Sequence, residues 1–140
     1  MSEQERTTTS KAMIWLVASV AVLFGLMTIK SGGQVLFGDE SFRVAAGNYV
    51  PFVLWFNFMA GFAYLVAGIG IAVRKSWAFG LAILIAISTL LVFAAFGLHV
   101  LTEGAYETRT VAAMTLRSTV WVVISGFLYR NYRKGVFHVE

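Results

Sequence analysis

The sequence contains no cysteine, a single proline and few charged residues, which make up 13% of the chain. Without cysteine the protein has no disulfide, no thiolate metal ligand and no dithiol redox centre. The shortage of charge accompanies a hydrophobic content of 59% over 140 residues, which is far outside the composition of a soluble globular domain. The composition therefore predicts a single domain embedded in a membrane.

Basic and histidine residues are also sparse. The net charge of +4 comes mostly from Lys and Arg at the ends of hydrophobic segments, and no basic patch has aromatic residues interleaved with it. This distribution speaks against nucleic-acid binding. The two histidines, His99 and His138, fall in segments predicted on opposite sides of the membrane. A haem with two axial histidines from one chain is therefore excluded.

What the sequence does contain is four hydrophobic runs, at residues 12–29, 51–73, 77–101 and 111–129. Their lengths suit a hydrocarbon core of roughly 30 Å at 1.5 Å per helical residue. We therefore predict an all-α integral membrane four-helix bundle over residues 12–130. The first run is interpreted as a retained helix and not as a signal peptide, because no small-x-small cleavage pattern follows it.

The segments outside these runs predict two tails and a short helix. Residues 1–11 are polar and predict a disordered tail, and residues 131–140 predict a basic tail. In the first long connection, Asp39 and Ser41 are suited to begin a helix and Gly47 is suited to end one. We predict a short interfacial helix there.

The positions of positive charge predict the orientation of the chain. Lys and Arg occur in the first tail, in the turn at Arg74 and Lys75, and in the last tail. Four spans place these three segments on the same side. By the positive-inside rule, both termini face the cytoplasm of a cell (inner) membrane, and the other two connections face outside.

One face of the second run combines small and polar residues. Asn57, Gly61, Tyr64 and Gly68 follow one another at i, i+4, i+7 and i+11. Small residues let helix backbones approach closely, and Asn57 and Tyr64 can form hydrogen bonds across such a contact. We predict that this face packs against another helix.

Three segments resemble the DoxX-like group of small four-helix membrane proteins: GLMTIK, VLWFNFMAGFAYLVAGIGI and the RKSWA turn. The resemblance covers residues 23–78, and the four-helix layout and the length agree over the rest. It implies a quinone-linked or redox-partnered membrane subunit, since some members of that group are the small membrane component of quinone-reducing oxidoreductases. It assigns no functional residue to this chain.

Most reactive side chains lie between the third and fourth runs. His99, Glu103 and Glu107 fall at i, i+4 and i+8. On a continuous helix they would align one imidazole and two carboxylates, which are ligands for zinc, manganese or iron. The alternative is that both glutamates are solvated near the head groups and that His99 is a packing residue with a hydrogen bond to Ser88 or to the backbone.

Arg117 lies inside the fourth run, where an isolated Arg costs about +2.5 to +3.5 kcal/mol at the membrane centre. Its side chain either extends outward along the helix, or faces the interior and pairs with Glu103, Glu107 or an anionic or carbonyl-bearing ligand. The stripe that Arg117 shares with Met114 and Trp121 favours the interior.

These observations leave three functional hypotheses. The leading one is a non-enzymatic accessory protein with a pocket near the outer surface for a quinone-like or other amphipathic ligand, lined by Asn57, Tyr64, His99, Met114, Arg117 and Trp121. The second is a membrane enzyme or metal-binding protein that uses His99 with Glu103 or Glu107. The third is a small transporter. The spans show no inverted repeat, and this speaks against a transporter. The expected partners are membrane lipid, such a ligand, and a redox partner subunit or a second copy of the chain.

Overall fold

The computed structural model describes residues 2–135 and 137, with the side chains of residues 6–9 left aside, and within that part the chain is helical and has no strand. Its helices are α1 (Glu3–Phe37), α2 (Glu40–Ala46), α3 (Pro51–Ala72), α4 (Trp77–Leu101) and α5 (Thr108–Arg133). By length and composition, α1, α3, α4 and α5 can each cross a membrane. The prediction of an all-α fold is confirmed, and the four long apolar helices support the prediction of a multi-pass membrane protein.

The first helix is longer than the first hydrophobic run. Ser2 begins it with a capping box, in which the Glu5 backbone N–H donates to Ser2 Oγ (3.2 Å) and the Ser2 N–H donates to the Glu5 carboxylate (2.8 Å). These two bonds satisfy backbone donors that the first turn leaves free. The structure thus corrects the predicted disordered tail over residues 1–11, because residues 3–11 are helical.

The other predicted boundaries shift less. The first helix continues to Phe37 instead of ending at residue 29, and α5 covers residues on both sides of the predicted run 111–129. The basic tail predicted for residues 131–140 therefore begins inside α5. Residues 136 and 138–140, which include His138, lie outside the described residues.

The short helix predicted in the first long connection is present as α2. Asp39 occupies its N-cap position, although its side chain makes no capping hydrogen bond. Gly47 follows the helix with a φ of +68°, in the left-handed region that favours glycine. The same end of the helix assembly carries α2 and the connection between α4 and α5, and we call it the α2 end.

The closest helix contact joins α1 and α3. A Cβ atom at Gly61 would lie 2.7 Å from Ile29 Cγ1, and one at Gly25 would lie 2.8 Å from the carbonyl oxygen of Gly61. At Gly68 a Cβ atom would lie 2.6 Å from Val22 Cγ2. The predicted small-residue face of α3 therefore packs against α1, as close approach of two helix backbones requires.

The other neighbours along the chain also pack together, α3 with α4 and α4 with α5. The buried apolar residues form two separate clusters. The larger cluster contains residues of all four long helices, among them Tyr64, Ile85 and Trp121. The smaller one lies nearer the α2 end and includes Phe96 and Met114.

Candidate functional site

A cavity of about 280 Å³ lies between α1, α3 and α5 at the α2 end. We call it the α2-end pocket. Its polar lining consists of Thr28, Ser31, Tyr49, Asn57, Glu107, Arg109, Thr110 and Arg117, and its apolar lining includes Val35, Leu54 and Ala113. Two of the predicted ligand residues, Asn57 and Arg117, are therefore brought together there from α3 and α5.

Arg117 is partly buried and reaches across to α1. Its Nη1 donates a hydrogen bond to Thr28 Oγ1 at 2.8 Å, and its Cζ lies 5.2 Å from the centroid of the Phe24 ring. Its Nε is buried and has no hydrogen-bond partner among the described residues. The guanidinium thus faces the interior, but neither of its two contacts is a carboxylate.

Asn57 is the second polar group that the pocket leaves incompletely bonded. It lies one helix away from Arg117 and lines the same cavity. Its Oδ1 is buried and accepts no hydrogen bond within the described part of the chain. The pocket wall therefore contains a buried donor on α5 and a buried acceptor on α3 that no described residue satisfies.

A stack of aromatic rings lies beneath Arg117. Phe24 stacks on Tyr64 with a centroid distance of 5.6 Å, and Tyr64 lies against Trp121 at 4.8 Å. Tyr64, Trp121 and Met114 are completely buried. None of the three lines the α2-end pocket, and all three belong to the buried core clusters. Large apolar side chains on the inward face of a helix pack closely in the core, and therefore they do not border a cavity.

His99 also lies outside the pocket. Its Nε2 is 3.0 Å from the carbonyl oxygen of Ala105, a hydrogen bond that the Nε2-protonated tautomer donates, and its ring meets Phe52 edge to face. A Cβ atom at Gly104 would collide with the imidazole. The His99 side chain therefore bonds the end of α4 to the connection between α4 and α5. The structure does not bring His99 and Arg117 together in this pocket, since their side chains leave their helices toward different neighbours.

The predicted metal ligands do not come together. The helix α4 ends at Leu101, and Glu103 follows in the connection with a φ of +63°. The i, i+4, i+8 alignment needs a continuous helix, so it is lost before Glu107. Glu107 instead accepts the Asn48 backbone N–H at 2.8 Å. In the described ranges, no group of three His, Asp or Glu side chains could hold a metal ion, which corrects the predicted His99, Glu103 and Glu107 site.

Two residues at the start of α5 hold the end of α2, where Ala46 lines the pocket. Arg109 Nη2 donates to the carbonyl oxygens of Ala45 (2.9 Å) and Ala46 (3.4 Å), which belong to the last turn of α2. A cation suits these carbonyls, because the C-terminal end of a helix carries partial negative charge. Together with the bond from Asn48 to Glu107, these contacts fix the end of α2 beside the pocket, which Ala46 lines.

Sequence reasoning did not identify Thr28, Glu107 or Arg109 as residues of this pocket. Thr28 is 3% exposed and is the hydrogen-bond partner of Arg117. The signal for Thr28 was a hydroxyl one turn after Gly25, on the side of the first run that carries small residues. For Arg109 the signal was weaker. Because Gly47 ends α2, the last backbone carbonyls of that helix need hydrogen-bond donors from elsewhere, and Arg109 is one such donor.

The pocket is suited to binding an oxygen-bearing molecule. Arg117 and the Asn57 amide donate hydrogen bonds, and the hydroxyls of Thr28 and Ser31 both donate and accept. Its one carboxylate, on Glu107, already accepts a backbone N–H. Comparison of the chain with protein-family models, with curated proteins and with solved structures found no match. The function therefore has to be inferred from this geometry.

Proposed function

We propose that the protein binds the polar head of an amphipathic small molecule in the α2-end pocket. The proposal rests on the surroundings of Arg117. This residue belongs to α5, a helix long and apolar enough to cross a membrane, and its guanidinium contacts Thr28 and Phe24. An isolated Arg at the centre of a membrane-crossing helix costs about +2.5 to +3.5 kcal/mol. Carbonyl or anionic oxygens of a ligand would accept its remaining N–H groups and offset that cost.

A quinone is the ligand class that we favour. Its carbonyl oxygens would accept from Arg117 and from the Asn57 amide, and the hydroxyl of the reduced ring would donate to Asn57 Oδ1. Its apolar chain would follow Val35 and Leu54, which line the same cavity. In this proposal the protein is a non-enzymatic accessory or quinone-linked redox subunit, as the resemblance to DoxX-like proteins implies. The redox partner subunit that such a role requires stays a prediction.

The proposal includes a place for the pocket in the membrane. We propose that the four long helices form a bundle across the inner membrane, with both termini in the cytoplasm. The α2 end then faces outside. Exposed Phe42 and Val44 suit α2 to the membrane interface, because apolar side chains on a short surface helix insert among lipid head groups.

Cysteine labelling tests this orientation in a chain that has no native cysteine. Single cysteines at Ser41 and Glu103 should react with a membrane-impermeant maleimide added to intact cells. Cysteines at Ser10 and Ser76 should react only after the membrane is opened. The reverse pattern would place the pocket on the cytoplasmic side.

Photo-crosslinking tests the binding function. A photoreactive amino acid at Leu54 lies in the pocket wall, whereas one at Met59 lies on the exposed side of the same helix. After irradiation in native membranes, position 54 should carry one small-molecule adduct that position 59 lacks, and Arg117→Gln should remove it. The proposal fails if both positions capture the same phospholipids in the same proportions.

A further inference from the structure

Along α3, α4 and α5, polar side chains lie between residues of the two apolar clusters of the core, and we call these polar side chains the layer. On α4, Thr89 lies between Ile85 of the larger cluster and Phe96 of the smaller one. On α5, Ser118 lies between Met114 of the smaller cluster and Trp121 of the larger one.

The α2-end pocket continues this layer. On α3, Asn57 lies between Val53 of the smaller cluster and Ala60 of the larger one. On α5, Arg117 precedes Ser118. Asn57 and Arg117 line the pocket, whereas Thr89 and Ser118 lie on α4 and α5, two helices that pack against each other.

Several atoms of this layer are buried without a partner. Thr89 is 0% exposed and Ser118 is 7% exposed, and neither hydroxyl has a hydrogen-bond partner among the residues that the structure describes. The same holds for Trp121 Nε1 and Tyr64 OH at the lower edge of the layer. In a membrane-crossing segment such atoms are costly, because lipid offers them no hydrogen bond.

Less buried hydroxyls on the same two helices behave differently. Ser88 on α4, and Thr115 and Thr119 on α5, each donate to the backbone carbonyl four residues earlier, at 2.8 Å. That bond is open to any Ser or Thr inside a helix. Since Thr89 and Ser118 do not make it, their hydroxyls are left for a partner in the interior.

We propose that the layer binds ordered water, which enters from the α2-end pocket and reaches Thr89 and Ser118. Beyond the pocket lining, the unsatisfied groups include a pure donor, the indole N–H of Trp121, and the hydroxyls of Thr89 and Ser118, which both donate and accept. A ligand that only accepts hydrogen bonds satisfies part of this set, whereas water both donates and accepts. Buried waters typically make about three hydrogen bonds to such groups. The inference does not rest on a quinone occupying the pocket.

The matched pair Thr89→Val and Thr119→Val tests this inference. Both exchange a hydroxyl for a methyl in a helix with little change in size. If Thr89 holds water, Thr89→Val breaks the network and lowers the melting temperature in detergent by several degrees. If Thr89 is dry and unpaired, the same substitution removes a buried polar group and raises the melting temperature. Thr119→Val, at an exposed hydroxyl bonded to its own helix, should change it little.

Fluorescence of Trp121 gives a second readout that does not depend on stability. Replacing Trp15, Trp55 and Trp77 by Phe leaves Trp121 as the one indole. Water at Nε1 shifts its emission to longer wavelength, so Thr89→Val should move the emission to shorter wavelength as the layer loses water. A rise in melting temperature with Thr89→Val, or an unchanged Trp121 emission, would overturn the inference.

Discussion

Replacing Gly61 by Leu is expected to force α3 away from α1 and to lower the melting temperature sharply. Even a Cβ atom at this position would lie 2.7 Å from Ile29 Cγ1 and 3.2 Å from the carbonyl oxygen of Gly25. The second of these neighbours is a backbone atom, so no change of side-chain rotamer can relieve the contact. Overpacking costs about 1 to 3 kcal/mol in ordinary cores, and we expect the upper end here because two helix backbones must separate.

The matched control for this experiment is Gly80→Leu. A Cβ atom at Gly80 has no neighbour within 4 Å, and the residue is exposed on α4. The control adds the same side chain to a helix of the same kind, so any gain in helix propensity is common to both variants. Thermal unfolding in detergent should show a large loss for Gly61→Leu and almost none for Gly80→Leu. Equal melting temperatures would mean that the contact between α1 and α3 does not require small residues.

Arg117→Lys is expected to release the pocket ligand, although it preserves the charge. Lysine lacks the planar fork that donates to Thr28 and to ligand oxygens at the same time. Hydrogen bonds to a charged group are worth about 1.5 to 3 kcal/mol, so ligand retention should fall by about tenfold or more. Quantitative mass spectrometry of the purified variant, extracted with organic solvent, measures this loss.

His99→Gln is the control for Arg117→Lys. His99 lies outside the α2-end pocket and bonds to Ala105, so this substitution should leave ligand retention unchanged. If Arg117→Lys retains as much ligand as the wild type, the guanidinium does not bind the ligand bidentately. If His99→Gln alone loses it, the ligand lies at the connection between α4 and α5 instead.

The four long apolar helices were predictable because their signal is length and apolar composition, and both are local properties of the chain. The ends of the helices were less predictable. At the start of α1, the capping box between Ser2 and Glu5 satisfies the backbone although the segment lacks apolar periodicity. At the end of α4, the helix stops at Leu101, so the regular spacing of His99, Glu103 and Glu107 no longer places them on one face.

The pocket was predictable only in part. Arg117 and Asn57 stand out in the sequence because polar side chains are rare inside such runs. Their partners do not stand out, since the bond from Arg117 to Thr28 joins residues 89 positions apart, and the bond from Asn48 to Glu107 joins residues 59 apart. The rotation of α5 about its axis decides that Arg117 points toward α1 while Trp121 is buried beneath it. That rotation depends on tertiary packing, which a single sequence does not reveal.

The central claim is that the α2-end pocket binds a membrane-soluble molecule through Arg117. Its most direct test is mass spectrometry of the molecules extracted from the purified wild-type protein, from Arg117→Gln and from the surrounding membrane. We predict one species, with carbonyl or anionic oxygens and an apolar chain, that is enriched in the wild-type extract over the membrane and lost from Arg117→Gln. Extracts of both proteins that match the membrane in composition would contradict the claim.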